Sequence, residues 1–332
     1  MGRNPSLLPL AVSLLCAVSL AAQDTPKKAA GTQVATEEAP AAAANADALQ
    51  KATQNPVASL ISVPIQNNSN FGIGPNDRTQ NVLNIQPVIP IKVSKGWNLI
   101  VRWIMPIIWQ PAPGTQNLEV FGIEENTPVS LAAQSAVKQV GVFGFGDMQP
   151  TFFLSPAKPG RLIWGVGPIF VLPTATSDVL GQGKLSIGPS VVGLIQPGHW
   201  TIGALINNVW SIAGSGGRAD VNQMLLQYFV NYNLKKGWYL TTSPIVTANW
   251  QATNGNQWVV PLGGGVGRIM KLGFQPVNIS AQFYGNAVHP SGGSPWGMRL
   301  QIAFLFPKVT KQQQKMMMEK RLKELEQESP QK

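Results

Sequence analysis

The chain has 332 residues, 12% of them charged, and it contains 33 glycines and 27 prolines. This glycine and proline content argues against a helical bundle, and no apolar run reaches the roughly 18 residues that a membrane-spanning helix needs. The formal net charge is +10, but the basic residues form no dense run with interleaved aromatic side chains, so the sequence argues against nucleic-acid binding.

The N-terminus has the pattern of a secretory signal peptide. Arg3 precedes an apolar stretch at residues 7–20, and Ala21 and Ala22 follow as small residues suited to signal-peptidase cleavage. We therefore assign residues 1–22 to a signal peptide and expect an exported bacterial protein.

The segment after the signal peptide lacks the residues that build a core. Residues 23–56 are rich in alanine and almost free of aromatic side chains, a composition typical of a flexible periplasmic linker. The only cysteine, Cys16, lies within the signal peptide, so the cleaved chain would have neither a disulfide nor a thiolate metal site.

Residues 57–307 repeat one pattern, in which segments of alternating apolar and polar residues are separated by turn residues. Short turns alternate with longer polar loops, and an even number of such strands is typical of a transmembrane antiparallel up-and-down β-barrel. The sequence therefore predicts an all-β outer-membrane barrel. The twelve predicted strands lie near residues 58–66, 80–92, 97–109, 145–155, 161–173, 185–196, 199–212, 223–234, 238–250, 257–268, 274–286 and 296–306. The longer loops are predicted at 67–79, 110–144, 174–184, 213–222, 251–256 and 287–295.

Prolines fall inside or near several of these strands, where each removes a ladder hydrogen bond. A closed barrel has no edge strand to accept them, so we expect β-bulges and some shorter strands at these positions. They are Pro87, Pro90, Pro106, Pro150, Pro168, Pro189, Pro244, Pro261 and Pro276.

Tryptophans mark both ends of the predicted strands. A strand from Trp97 to Trp109 is about 40 Å long at roughly 3.3 Å per residue, and a tilt of about 40° reduces this to about 30 Å along the membrane normal. Because indole rings favour the membrane interface, we predict two aromatic girdles, whereas a soluble β-sandwich would not need its large aromatics at both strand ends. One girdle holds Trp97, Trp200 and Trp238, and the other Trp109, Trp210 and Trp250.

Charged residues in and beside the barrel region separate between the two ends of the barrel. The acids lie in or beside the long loops: Asp77, Glu119, Glu124, Glu125, Asp147, Asp178 and Asp220. Basic residues cluster at the short-turn end: Lys92, Lys95, Lys158, Arg161, Lys235, Lys236, Arg268, Lys271 and Lys308. We expect the long loops to face outside and both termini to lie in the periplasm, in the outer membrane of a Gram-negative bacterium.

The inward face of the strands carries mostly amides among apolar residues. Amides donate and accept hydrogen bonds without attracting a particular ion, so these residues either line a solute path or pack the lumen by bonding to one another. The predicted lumen residues are Asn84, Gln86, Arg102, Gln149, Asn207, Gln227, Asn231, Asn249, Gln282, Arg299 and Gln301.

The loop at 110–144 is much longer than the others and alone holds Glu119, Glu124 and Glu125. We expect it to narrow the lumen near one of the two arginines, with a glutamate close to the guanidinium; the alternative is a mobile surface loop.

The C-terminal segment, residues 308–332, is highly charged. Met318, Leu322 and Leu325 follow helical spacing, which predicts a short amphipathic helix. We place this tail in the periplasm, where it either contacts a partner or remains a solvated tail.

Several segments resemble a family of Gram-negative outer-membrane proteins, in the order NPVASLISVPIQNN (55–68), LNIQPVIPI (83–91), FGFGDMQPTFFLSP (143–156), IWGVGPIFVLPTAT (163–176) and WGMRLQIAFLFPK (296–308). Members of this family are commonly labelled transporters, sometimes neuromedin U, and are similar to barrels encoded with meta-pathway phenol degradation. The resemblance implies an outer-membrane barrel and solute uptake, with no established substrate. The charged tail departs from the usual barrel, which ends at a terminal aromatic residue; here Phe306 is internal.

The sequence has little that favours catalysis. Of its two histidines, His199 has no acidic neighbour in sequence, and His289 is separated from Ser291 by a proline that favours a loop. The His-x-Ser spacing resembles that of outer-membrane phospholipase, so a lipid hydrolase is the third hypothesis. We expect no enzyme, no cofactor and no metal site.

The first hypothesis is an outer-membrane channel or transporter for small neutral or weakly polar solutes, with aromatic solutes implied by the family resemblance. The second is a closed structural or partner-binding barrel. The expected partners are outer-membrane lipid, the solute, and a periplasmic partner for the C-terminal tail.

Overall fold

The computed structural model describes residues 47–111, 141–253 and 255–307. Within them, fifteen strands form a single antiparallel sheet. The predicted signal peptide, residues 23–46 of the predicted linker, most of the loop predicted at 110–144, and the tail at 308–332 lie outside the described residues. The strands are β1 (Ile61–Ile73), β2 (Arg78–Ile85), β3 (Val88–Lys92), β4 (Trp97–Gln110), β5 (Val142–Phe145), β6 (Gln149–Pro156), β7 (Leu162–Val171), β8 (Lys184–Ile195), β9 (Trp200–Gly214), β10 (Asn222–Asn233), β11 (Trp238–Thr242), β12 (Ile245–Asn249), β13 (Trp258–Leu272), β14 (Gln275–Val288) and β15 (Trp296–Phe306).

The sheet closes on itself because the first and last strands pair. β1 and β15 run antiparallel from the Ile61–Phe306 pair to the Phe71–Trp296 pair. Three barrel positions are each shared by two consecutive short strands: β2 with β3, β5 with β6, and β11 with β12. The fold is therefore a closed antiparallel barrel of twelve strand positions, as predicted.

Prolines coincide with two of the strand interruptions. Pro87 separates β2 from β3, and Pro244 lies between β11 and β12. A β-bulge occurs where β13 reaches Pro261. These are the irregularities expected from residues that cannot donate to the ladder.

Other prolines stay within continuous strands, and the neighbouring ladder is interrupted instead. Pro168 and Pro189 pair with each other across β7 and β8. On the far side of Pro189, the register of β8 with β9 passes directly from Ile187 to Ser190. Pro189 thus coincides with lost pairing on the side away from Pro168, as expected for a residue without a backbone N–H donor.

The first hairpin is longer than the sequence predicts, and the long loop assigned to 67–79 is wrong. β1 continues to Ile73 and β2 begins at Arg78, so only four residues connect them. Polar side chains stabilise this extension across the two strands: Ser69 Oγ donates to Asn81 Oδ1 at 2.7 Å, and Asn70 Nδ2 donates to Gln80 Oε1 at 2.7 Å. A run of amide side chains is therefore typical of a loop in the sequence, although in the structure these residues form paired strands.

Residues 47–60, named here the lumen segment, cross the inside of the barrel at its short-turn end. Residues 47–53 are helical, whereas their composition predicts a flexible linker. Gln50 is 2% exposed and donates to the Trp238 carbonyl at 3.0 Å. Val57 packs into an apolar cluster contributed by the inner faces of the barrel strands: Ile100, Phe153, Ile163, Val192, Leu194, Leu205 and Phe229.

The outer surface of the barrel is apolar and carries tryptophans at both rims. The six predicted girdle tryptophans are all exposed, between 38% for Trp97 and 46% for Trp210. Arg268, at the short-turn end, places its guanidinium carbon 5.0 Å from the ring centre of Trp238, which is a cation–π arrangement. None of the helices among the described residues is long and apolar enough to cross a membrane.

Candidate solute pathway through the barrel

The barrel encloses a cavity of about 660 Å³ between its long-loop end and its middle. A volume of this size falls in the range of small-molecule sites. Its wall combines amides with aliphatic side chains, including Ile104 and Ile108 of β4 and Val209 of β9. Such a wall offers both apolar contact and hydrogen bonds to a solute.

All eleven residues predicted to face the lumen lie on a cavity wall. Eight border the large cavity: Asn84, Gln86, Arg102, Gln149, Asn207, Gln227, Asn249 and Arg299. Asn231, Gln282 and Gln301 border a second cavity of about 190 Å³ nearer the short-turn end, which Gln86, Arg102 and Gln227 also reach. These positions could be predicted from the alternation of side chains along each strand, because every second side chain of a closed barrel must face inwards.

The lumen segment borders the smaller cavity on the side of the short-turn end. Residues 52–56, together with Ala58 and Leu60, form part of the wall of the smaller cavity. The segment is held by side-chain hydrogen bonds: Gln54 Nε2 donates to Asn233 Oδ1 at 2.7 Å, and Gln196 Nε2 donates to the Lys51 carbonyl at 2.8 Å. Gly165 allows the lumen segment to approach β7 closely, because a Cβ at this position would lie only 3.0 Å from Val57 Cγ1.

Arg102 extends from β4 into the lumen where the neighbouring strand is interrupted. Its Nη2 donates to Gln86 Oε1 at 2.8 Å. Gln86 lies in the gap between β2 and β3, and its own backbone N–H donates to the Pro64 carbonyl at 2.8 Å. Pro87 thus ends one strand and leaves the Gln86 side chain positioned against the guanidinium.

Arg299 lies at a second strand interruption. Its side chain is largely buried: the residue is 7% exposed, and Nε donates to Asn68 Oδ1 of β1 at 2.9 Å. Nη1 donates to the Ser243 carbonyl at 2.7 Å, and this carbonyl lies at the gap before Pro244. The ring of Tyr284 lies 5.2 Å from the guanidinium carbon.

Polar residues outside the predicted lumen set complete a belt around these arginines. Gln66 Nε2 donates to Asn68 Oδ1 at 3.2 Å, and Ser243 Oγ donates to Gln282 Oε1 at 2.9 Å. Tyr284 also hydrogen-bonds Gln282. Asn68 was hidden by the wrong loop assignment at 67–79, whereas Gln66 lay at the end of the predicted strand 58–66 and was not included among the lumen residues. The even spacing of Gln66, Asn68 and Asn70 was the available signal.

The long-loop end of the large cavity is bordered by the connection between β7 and β8. Asp147 accepts backbone N–H groups of Ala175 at 3.1 Å and Gln182 at 2.6 Å. Arg218 donates to the carbonyls of Asp178 and Gln182, at 2.9 and 3.2 Å. These bonds fix the loop across the mouth, while Glu119, Glu124 and Glu125 lie outside the described residues.

The histidine considered for catalysis lies in the connection between β14 and β15, as its neighbouring proline predicts. His289 Nδ1 is 2.9 Å from the Pro290 carbonyl, and the Ser291 backbone N–H donates to Asn256 Oδ1 at 2.9 Å. Among the described residues no group of three or more histidine, cysteine or acidic side chains is placed to hold a metal ion.

No protein-family model and no curated protein sequence matches the chain. Solved structures do: an outer membrane channel from Pseudomonas putida F1 aligns with a TM-score of 0.52 at 14% identity, covering 74% of this chain and 94% of that one. The Salmonella typhi outer membrane phospholipase dimer with bound calcium aligns with a TM-score of 0.39 at 12% identity, covering 75% and 91%. The CymD monoaromatic hydrocarbon channel aligns with a TM-score of 0.38 at 10% identity, covering 75% of this chain and 88% of that one.

At these identities the likeness concerns the fold. The first alignment agrees with the closed barrel, its apolar exterior and its aromatic rims in defining the chain as a transmembrane β-barrel of the outer-membrane type.

Proposed function

We propose that the protein is a passive channel in the outer membrane of a Gram-negative bacterium, with its long loops outside and both termini in the periplasm. Its solutes are small and neutral or weakly polar, and aromatic molecules are among them. The observation that carries this proposal is the cavity of about 660 Å³ inside the barrel, whose wall mixes amides with aliphatic side chains.

Three features support a passage rather than a solid core. The wall supplies hydrogen-bonding groups along its length, from Asn249 near the long-loop end to Gln227 near the middle. Aliphatic side chains lie between them, so the transfer of a solute's apolar body from water into the lumen costs little free energy. The outer-membrane channel from Pseudomonas putida F1 is similar in fold.

One specific observation favours a second candidate, a closed barrel with a structural or partner-binding role. The lumen segment occupies the short-turn end and is anchored by Val57 in the apolar cluster. For a channel, this segment must move or leave a gap beside it.

Reconstitution into planar bilayers distinguishes the two candidates. A channel gives reproducible single-channel steps from purified, heat-modifiable protein. A well-folded barrel that remains silent over a wide voltage range contradicts the channel and favours the closed barrel.

A further inference from the structure

Two arginines face the same cavity, and neither forms an ion pair among the described residues. An acid on the same wall, Asp147, instead accepts two backbone N–H groups at the long-loop end. The two ion pairs among the described residues join Lys184 to Asp220 and Arg218 to Asp178, and both lie at the long-loop end. Arg102 and Arg299 both line the large cavity. Placing two like charges together inside a barrel is costly unless something compensates for them.

The groups that hold the two side chains are neutral and leave donors unused. Arg102 donates through Nη2 to Gln86, while Arg299 donates through Nε and Nη1 to Asn68 and Ser243. A guanidinium has further N–H donors in a planar fork that matches a carboxylate. The amide and carbonyl contacts therefore orient the arginines without neutralising them.

Aliphatic side chains lie next to the arginines on the same wall. Ile104 and Ile108 follow Arg102 on the inner face of β4, and Leu205 faces the cavity from β9. A molecule with one negative group and a small apolar body satisfies both parts of this wall. Charge-assisted bonds from arginine to carboxylate are stronger than bonds between neutral groups, so the negative group supplies most of the selectivity.

We propose that Arg102 and Arg299 form an anion-binding site in the lumen that takes the carboxylate of a small amphipathic acid. The proposal rests on the proposed function in one respect, since the ligand reaches the site through the lumen. It goes beyond the neutral and weakly polar solutes of the proposed function, because solutes with one carboxylate are held at the middle of the barrel and uncharged ones are not held there.

The test compares benzoate with benzamide, which has nearly the same shape and no charge, by calorimetry on the full-length mature protein in detergent at low chloride concentration. The site predicts that benzoate binds at least roughly tenfold more tightly than benzamide. Arg102→Gln and Arg299→Gln each lower benzoate affinity by roughly tenfold or more and leave benzamide unchanged. The matched control is Arg161→Gln, because Arg161 is an exposed arginine at a short turn.

Folding is checked by heat-modifiable migration. If Arg299→Gln does not fold, Arg299→Lys keeps the charge but removes the fork, and it should lower benzoate affinity by a smaller factor. Equal binding of benzoate and benzamide, no binding of either, or an equal loss in Arg161→Gln overturns the site.

The loop glutamates provide one more outcome. If benzoate binds only after Glu119, Glu124 and Glu125 are all changed to Gln, the loop itself fills the site and the external ligand is overturned. Bilayer conductance separates this proposal from the proposed function: conductance without benzoate binding refutes the site alone, and benzoate binding by a silent barrel refutes the channel alone.

Discussion

Replacing Val57 with alanine should loosen the lumen segment without weakening the barrel. Val57 is 5% exposed and its side chain contacts the inner walls of several strands, whereas the barrel ladder runs through other residues. The substitution removes the equivalent of two methylene groups, each worth about 0.8 kcal/mol when buried. Since about 1.4 kcal/mol corresponds to a factor of ten, the ratio of displaced to seated segment should rise roughly tenfold.

Two measurements follow the displaced state of the Val57→Ala protein. Single-channel recording should show a larger fraction of time at high conductance. Trypsin should also cleave faster after Lys51, because displacement frees its backbone from the Gln196 hydrogen bond. The matched control is Val191→Ala, since Val191 is 45% exposed on the outside of β8. Unchanged conductance and unchanged cleavage in Val57→Ala would show that the segment does not move by this route.

Three further predictions concern fold, orientation and the long loop. Unboiled protein in mild detergent should migrate as a compact, heat-modifiable species with mainly β circular dichroism, and substantial helix beyond the terminal tail and residues 47–53 would contradict the barrel. A cysteine in place of Thr115 should react with an impermeant thiol reagent on whole cells while one in place of Lys236 should not; the reverse pattern would refute the orientation. Deleting residues 115–138 should raise single-channel conductance if the loop narrows the lumen, and an unchanged conductance from a folded barrel rejects that role.

The barrel could be predicted because its rule is local. Alternation along a strand assigns each side chain to lipid or lumen, and tryptophans at strand ends mark the interfaces, so strand count and inward residues follow from the sequence. Closure itself is not local: Ile61 pairs with Phe306 across nearly the whole described chain. An even strand count and the absence of a tolerated edge imply that pairing indirectly.

The lumen segment could not be predicted, because its order comes from distant partners. Its own sequence is rich in alanine and polar residues, and Gln50 reaches the Trp238 carbonyl 188 positions away in the chain. Val57 has an apolar environment only after the barrel has formed. Composition alone therefore predicts a linker where the folded protein has an ordered segment.

The neighbourhood of the two arginines was predicted only in part. The alternation of side chains along each strand predicted that Arg102 and Arg299 face the lumen. Their hydrogen-bond partners, however, depend on the strand interruptions at Pro87 and Pro244. The sequence indicated that irregularities would occur at such prolines, whereas the groups exposed there depend on the register of the neighbouring strands.

The most direct test of a passage through the lumen is to lock the lumen segment in place. Gln54 and Asn233 hydrogen-bond each other, so Gln54→Cys and Asn233→Cys can be joined by a short reducible cross-linker, with the two single-cysteine variants as controls. Planar-bilayer recording should show conductance in the uncross-linked protein, loss of conductance after cross-linking, and recovery after reduction. Equal conductance in the cross-linked and reduced forms would contradict a path that requires this segment to move.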